Sequence, residues 1–374
     1  MNNIKSKFKM DKTFKSNCIT YGIVIIAFLI IQVLLSAESI FDIRLISNLL
    51  KGLLVPLCMY AILAVSLNLT VGILGELSLG HAGFMCVGAF VGAFFSKCTA
   101  EILPAIIRFP LALFLGALFA GLCGVLIGIP VLRLKGDYLA IVTLAFGEII
   151  KNVVNILYIG KDENGFHFST TSAIDLNMSE NGVVLIKGAQ GITGTPNDST
   201  FAIGIILLLI TLFVVLNLIQ SRDGRAIMAV RDNTIAAESV GINITKYKLL
   251  AFSISAAFAG MAGVLYAHNI STLTATPKNF GYNMSIMILV FVVLGGMGNI
   301  RGSIIAAVIL TLLPELLRGL EDYRMLIYAI VLIVMMLFNW SPKCIEFKEK
   351  YSLKRIINEK INAKKEQKLQ KEAE

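Results

Sequence analysis

Charge is the first thing this chain is short of. Asp, Glu, Lys and Arg make up 15% of its 374 residues, against roughly 25% in a soluble domain. With 56% of residues hydrophobic and a mean hydropathy of +0.79, it cannot cover an ordinary aqueous surface, and its solvent is lipid. Cysteine supplies no framework. Cys18, Cys58, Cys86, Cys98, Cys123 and Cys344 show no short paired spacing and read as small apolar residues in or beside apolar runs. His81, His167 and His268 lack the spacing of metal ligands. Gly-Lys never precedes Ser or Thr, which excludes a phosphate-binding loop. Gly295-Gly296-Met297-Gly298 with Gly302 has the wrong spacing for a dinucleotide fingerprint, and no strand precedes it. Neither a Ser/His/Asp set nor a carboxylate pair offers catalysis. The expectation is no catalytic residue, no metal, no cofactor and no enzyme activity. Energy for any transport must come from an ion gradient or from another polypeptide.

What the chain has instead is long apolar runs. A span needs about 20 mostly apolar residues, and ten candidates stand out: 18–35, 52–71, 82–96, 109–132, 138–159, 201–219, 249–270, 284–298, 303–317 and 325–341. The fold class expected is all-α, a polytopic transmembrane helical bundle. The run 18–35 is longer than a signal-peptide core and lacks a good cleavage site, so it is read as an uncleaved first span. The net charge of +9 sits in the tails, with ten Lys and Arg between Lys343 and Lys371 and five between Lys5 and Lys15. Basic tails flanking apolar spans are topology signals, not a nucleic-acid surface. Placing both termini in the cytoplasm puts 23 Lys and Arg inside against 9 outside. The expected organisation is a basic tail 1–17, a membrane domain 18–341 and a basic tail 342–374.

Two loops are long. The outer loop, 160–200, is polar and turn-rich, with Asp162, Glu163, Asp175, Glu180 and Asp198. The inner loop, 220–248, has a turn expected at Asp223-Gly224 and a second short helix, capped by Asp232, ending at Gly241. Its apolar stripe, Ile227, Val230, Ile235, Ala236 and Val240, calls for a partner surface and marks the loop as a docking element.

Polar residues within the apolar runs are the candidates for a pathway. Val71 to Gly83 carries four glycines with Glu76, Ser78 and His81. It reads either as a broken helix lining a pathway, tolerated only where protein or water covers it, or as a cytosolic hairpin with Glu76 and His81 in water. Glu148, Lys151, Asn152 and Asn155 share the fifth span with Thr143. Glu148 lies about 15 Å beyond Tyr138 at 1.5 Å per residue. It can pair with Lys151 on one face, as a pathway group or as a structural ion pair. Gly83, Gly88, Gly92, Gly116, Gly121, Gly124 and Gly128 recur at helical intervals and point to close helix packing.

Taken together, several stretches resemble the branched-chain amino acid ABC transporter permease family, in its M-type form. They are Leu67-Asn68-Leu69-Thr70-Val71-Gly72 running into Glu76 to Ala82; Gly136 to Glu148; and Ala229-Val230-Arg231-Asp232-Asn233 with Ala236 to Ile242. Gly295 to Ser303 and the outer Gly188-Ala189-Gln190-Gly191-Ile192-Thr193-Gly194 are similar too. The resemblance covers most of 50–340. It implies a permease subunit in a bacterial inner membrane that conducts leucine, isoleucine and valine by alternating access. Its implied partners are a second permease, two ATP-binding subunits and an extracytoplasmic binding protein. The loop 220–248 would seat in the ATPase, with Arg225, Arg231, Asp232, Ala236, Ala237, Glu238, Ser239 and Gly241 as coupling residues. Glu76, Ser78, His81, Thr143, Glu148 and Asn152 remain the pathway candidates. Urea, amides or other amino acids are alternative cargoes, and an ion-coupled secondary transporter is the rival class. The stretch 161–187 and the length of the basic tail depart from the family pattern.

Overall fold

A computed structural model describes residues 12–41 and 47–340, apart from 135, 164, 180 and 181. The basic stretch 1–11, the tail beyond 340, Cys344 and Glu180 lie outside the described residues. These fall into two compact units that divide after Leu312.

The first unit is a helical bundle built from the apolar runs. Helix α1 is Lys12–Phe41, so the first helix takes in Lys12 and Lys15 from the expected tail. Then come α2 (Asn48–Asn68), α3 (His81–Cys98), α4 (Ala105–Val131) and α5 (Asp137–Ile156). They are followed by α6 (Phe201–Gln220), α7 (Arg222–Asp232), α8 (Thr234–Ser239) and α9 (Ile244–Ala267). Helices α10 (Pro277–Phe280), α11 (Tyr282–Gly295) and α12 (Ile300–Leu316) complete the order. The second unit takes the end of α12, a 3-10 segment at Leu317–Tyr323 and α13 (Arg324–Trp340). In it Arg318 pairs with Glu315 at 3.0 Å.

Among the described residues nine helical stretches are long and apolar enough to cross a bilayer. Helix α13, with 17 residues, is the tenth apolar segment of the expected ten. The expected eighth span is a pair, α10 and α11, broken at Gly281.

Helix α9 is the centre of the first unit, packed by α2, α3 and α4. The glycines expected to pack closely do so. A Cβ at Gly88 on α3 would overlap the Gly260 carbonyl on α9, and one at Gly116 on α4 would run into Val264. One at Gly263 on α9 would meet the Met85 carbonyl of α3. In lipid such backbone approach replaces the hydrophobic effect as the source of helix association.

The outer loop holds structure that its polar composition does not announce. Strands β1 (Tyr158–Asp162), β2 (Gly165–Ser169) and β3 (Val183–Lys187) form an antiparallel sheet in the order β2-β1-β3. Strand β4 (Ile192–Thr193) pairs with β5 (Thr272–Leu273), which follows α9. Gly191, at φ +68°, sits against the Leu273 carbonyl where a side chain would collide. The 20 residues of α6 then carry the chain about 30 Å from this end to α7, so sheet and α7–α8 lie at opposite ends of the bundle.

Candidate functional site

Helix α2 does not end cleanly. Beyond Asn68 the chain continues as a π-helical turn, Leu69–Leu74, closed by Gly75 at φ +81°. Residues 76–80 are irregular before α3 begins at His81. Irregular backbone inside an apolar bundle needs protein or water around it, and here protein supplies it. Leu69 to Leu74 are all buried, as are Ser78 and His81. Single π turns inside helices frequently mark functional sites.

Side chains from four other helices hold this break. Buried Asn68 donates from Nδ2 to Ser303 Oγ of α12 at 2.7 Å and accepts at Oδ1 from the Gly298 N–H at 2.8 Å. On α5, Thr143 Oγ1 accepts from the Leu79 N–H at 3.0 Å. Ser285 Oγ of α11 accepts from the Ala82 N–H at 3.1 Å. Ser255 of α9 donates to the Ser66 carbonyl, and Ser66 Oγ meets His81 Nε2 at 2.9 Å. Glu76 pairs with Lys248 at the start of α9. Neither Glu76 nor His81 simply faces water, so the hairpin reading of this stretch gives way to the broken helix. Three buried atoms in the region, Thr70 Oγ1, Ser78 Oγ and His81 Nδ1, have no hydrogen-bond partner among the described residues.

The polar residues of α5 part company. Thr143 joins the break, whereas Glu148 pairs with Lys151 and accepts from the Tyr282 N–H at 2.9 Å, the first residue of α11. Asn155 donates to the Ala275 carbonyl at 3.0 Å. Glu148 therefore ties α5 to the start of α11 and bonds to neither Ser78 nor His81. Asn152 is exposed on α5, as are Ile149 and Val153.

The loop 220–248 folds as two helices, with its expected signals shifted. Asp223-Gly224 is no turn. It lies in the first turn of α7, where Ser221 Oγ accepts from the Gly224 N–H at 3.0 Å. Asn233, not Asp232, caps α8, accepting at Oδ1 from the Ala236 N–H at 3.0 Å. Asp232 instead takes Arg231 Nε and Nη2 at 3.0 and 2.8 Å. Gly241 closes the element at φ +85°. Arg225 donates to the Gln220 carbonyl at 3.1 Å.

The apolar stripe divides between two surfaces. Ile227 packs with Leu69, Ile73, Leu74 and Ala251, directly beneath the π turn, and Val230 and Ala237 are buried as well. Ile235 is 80% and Val240 74% exposed, and Ala236, Glu238 and Ser239 face out with them. Arg231 turns toward the bundle: its Nη1 donates to the Gly72 carbonyl at 3.2 Å. Its Cγ lies 2.5 Å from where a Cβ at Gly75 would stand. Sequence reading missed Asn68, Ser303, Ser285 and Lys248 as holders of the break. A polar Asn deep in an apolar run was the one available signal; the others act across 172 to 235 residues of sequence.

The fold is a bundle of long apolar helices in which a buried, broken helix is hydrogen-bonded to a surface helix through Gly72 and Arg231. The family described as branched-chain amino acid transport system / permease component matches residues 49–338, and the chain belongs to it. LivM, the high-affinity branched-chain amino acid transport system permease of Salmonella typhimurium, is 37% identical over 76% of this chain and 67% of its own length. Its Escherichia coli counterpart is 36% identical over the same shares. The ribose import permease RbsC of Haemophilus influenzae is 26% identical over 74% of this chain and 80% of its own. No solved structure matches. The chain is an ABC-type transport permease and not an enzyme.

Proposed function

We propose that this chain is the permease subunit of an importer for leucine, isoleucine and valine, powered by partner ATPases. The single observation that carries the mechanism is the pairing of an exposed apolar patch on α8 with an inward arginine on α7. Ile235, Ala236 and Val240 lie open to a partner, and Arg231 holds the Gly72 carbonyl of the broken helix. A push on α8 has a hydrogen-bonded route into the bundle, reinforced by Glu76 and Lys248. The cargo reading is supported by the greater identity to LivM than to the ribose permease.

In this reading the loop 220–248 faces the cytosol, both termini are cytoplasmic and the membrane is the bacterial inner membrane. One of two ATP-binding subunits seats on α8, a second permease completes the pore and an extracytoplasmic binding protein delivers solute to the sheet-bearing end. Glu76, Ser78, His81 and Thr143 flank the pathway. The three unpartnered atoms at Thr70, Ser78 and His81 support a route that polar groups or water enter. Glu148 and Lys151 serve as a structural pair.

Co-expression with its ATPases tests the reading. The parent chain captures them, and Gly241→Arg or deletion of 234–240 abolishes capture. Uptake by this chain alone, driven by an ion gradient, would overturn the mechanism. Competition of labelled leucine uptake by valine, urea, short amides and ribose reads the cargo, and an unlabelled sugar or amide winning would overturn the branched-chain assignment.

A further inference from the structure

The sheet-bearing end of the bundle holds a feature that coupling does not use. A groove of about 560 Å³ runs between α3, α4 and α5 beneath the sheet, walled by residues such as Val87, Phe94, Phe119, Val153 and Ile186. No hydroxyl, amide or charged side chain lines it. That size falls in the range of roughly 300–1,000 Å³ typical of ligand pockets. Its helical walls are membrane spans, so hydrocarbon is what they meet.

Charge gathers at its mouth. Lys161 on β1 stands opposite Phe166 on β2 and Val183 on β3. Directly opposed residues project to one face of a sheet, and Phe166 lines the groove, its ring 6.0 Å from that of Phe94. Lys161 therefore looks over the groove, and its charge reaches Cys98 in the groove wall. Lys97, in the last turn of α3, donates from Nζ to the Val184 carbonyl of β3 at 3.4 Å. Lys187, opposite Tyr158 and so on the sheet face away from Ile159 and Ile186, still lies close enough to repel it. The carboxylate next to Lys161 in sequence is engaged elsewhere. Asp162 accepts from the Gly165 and Ser179 N–H groups and pairs with His167 Nε2 at 3.0 Å. Among the described residues no carboxylate pairs with Lys161 or Lys187.

Like charges crowd together at the cost of mutual repulsion unless an anion joins them. We propose that the groove holds an acyl chain of an anionic phospholipid whose phosphate sits between Lys97 and Lys161. The apolar walls select hydrocarbon and the two ammonium groups select the headgroup, a combination that neither a neutral lipid nor a soluble anion satisfies.

Native mass spectrometry of the full chain in mild detergent tests this, with phosphatidylglycerol and phosphatidylethanolamine as probes. One phosphatidylglycerol is retained in preference to phosphatidylethanolamine. Lys161→Gln, at an exposed position, lowers that preference about fivefold, as expected for roughly 1 kcal/mol per lysine, while Lys187→Gln, on the other face of the sheet, leaves it in place. Val153→Trp, which fills the groove, removes retention of both lipids. Equal retention of the two lipids overturns the proposal, as does a preference unchanged by Lys161→Gln. Disulfide capture of the second permease by Val153→Cys in the assembled transporter overturns it too, because the groove would then be covered by protein.

Discussion

Arg231 is the residue whose role changes most between sequence and structure. By motif it belongs among the ATPase contacts; by geometry its guanidinium is occupied by the Gly72 carbonyl and by Asp232. Arg231→Ala is accordingly expected to leave ATPase capture intact while lowering uptake about tenfold or more, read by pull-down and uptake on the same preparation. Lysine should not rescue it, because a single ammonium cannot span the carbonyl and Asp232 together. Asn68 makes two buried hydrogen bonds to separate parts of the chain. Asn68→Ala strands the Gly298 N–H, at about 1–3 kcal/mol, while Ser303 Oγ keeps its bond to the Asn299 carbonyl at 3.2 Å, and the loss should appear as a lowered unfolding temperature. Glu148→Gln leaves Lys151, which is only 8% exposed at its side chain, without its counter-charge. About 2–3 kcal/mol of lost stability is expected, short of a fully buried pair because Glu148 keeps 27% exposure. A double variant, Glu148→Gln with Lys151→Met, should recover most of it; selective loss of transport with unchanged stability would instead make Glu148 a pathway group.

At the scale of elements, α8 presents the sharper test. Its outward residues stand exposed among the described residues, so Ile235→Asp should cost the chain little stability while weakening ATPase capture about tenfold or more, as loss of a central interface anchor does. An unaltered affinity would remove α8 from the contact. Local signals for this element were legible but displaced: Asn233 took the capping position assigned to Asp232, because Asp232 was engaged by its neighbour Arg231. The span runs were legible for a simpler reason, since each must be apolar for its whole length whatever it packs against. The π turn and the sheet were not. The first depends on Asn68, Thr143 and Ser285 meeting backbone groups far away in sequence. The second uses five-residue strands, of which only Val183–Lys187 carries an apolar, β-branched run, a signal outweighed by the polar, turn-rich residues on either side.

For the molecule as a whole, orientation decides the mechanism. Single cysteines at Ser239 and at Asn177, in a background lacking the native thiols, should label from opposite sides of sealed vesicles, with Ser239 reached from the cytosolic side. Labelling of both from one side would contradict the passage of α6 between the two ends.

The glycine contacts among α3, α4 and α9 carry a mechanical consequence. Where main chain lies on main chain, as at Gly88 with Gly260 and Gly263 with Met85, no rotamer is available to absorb sliding, so these three helices translate and tilt as one stiff member. Displacement during a transport cycle is therefore concentrated in the segments attached to that member, above all the six residues between Asn68 and Gly75.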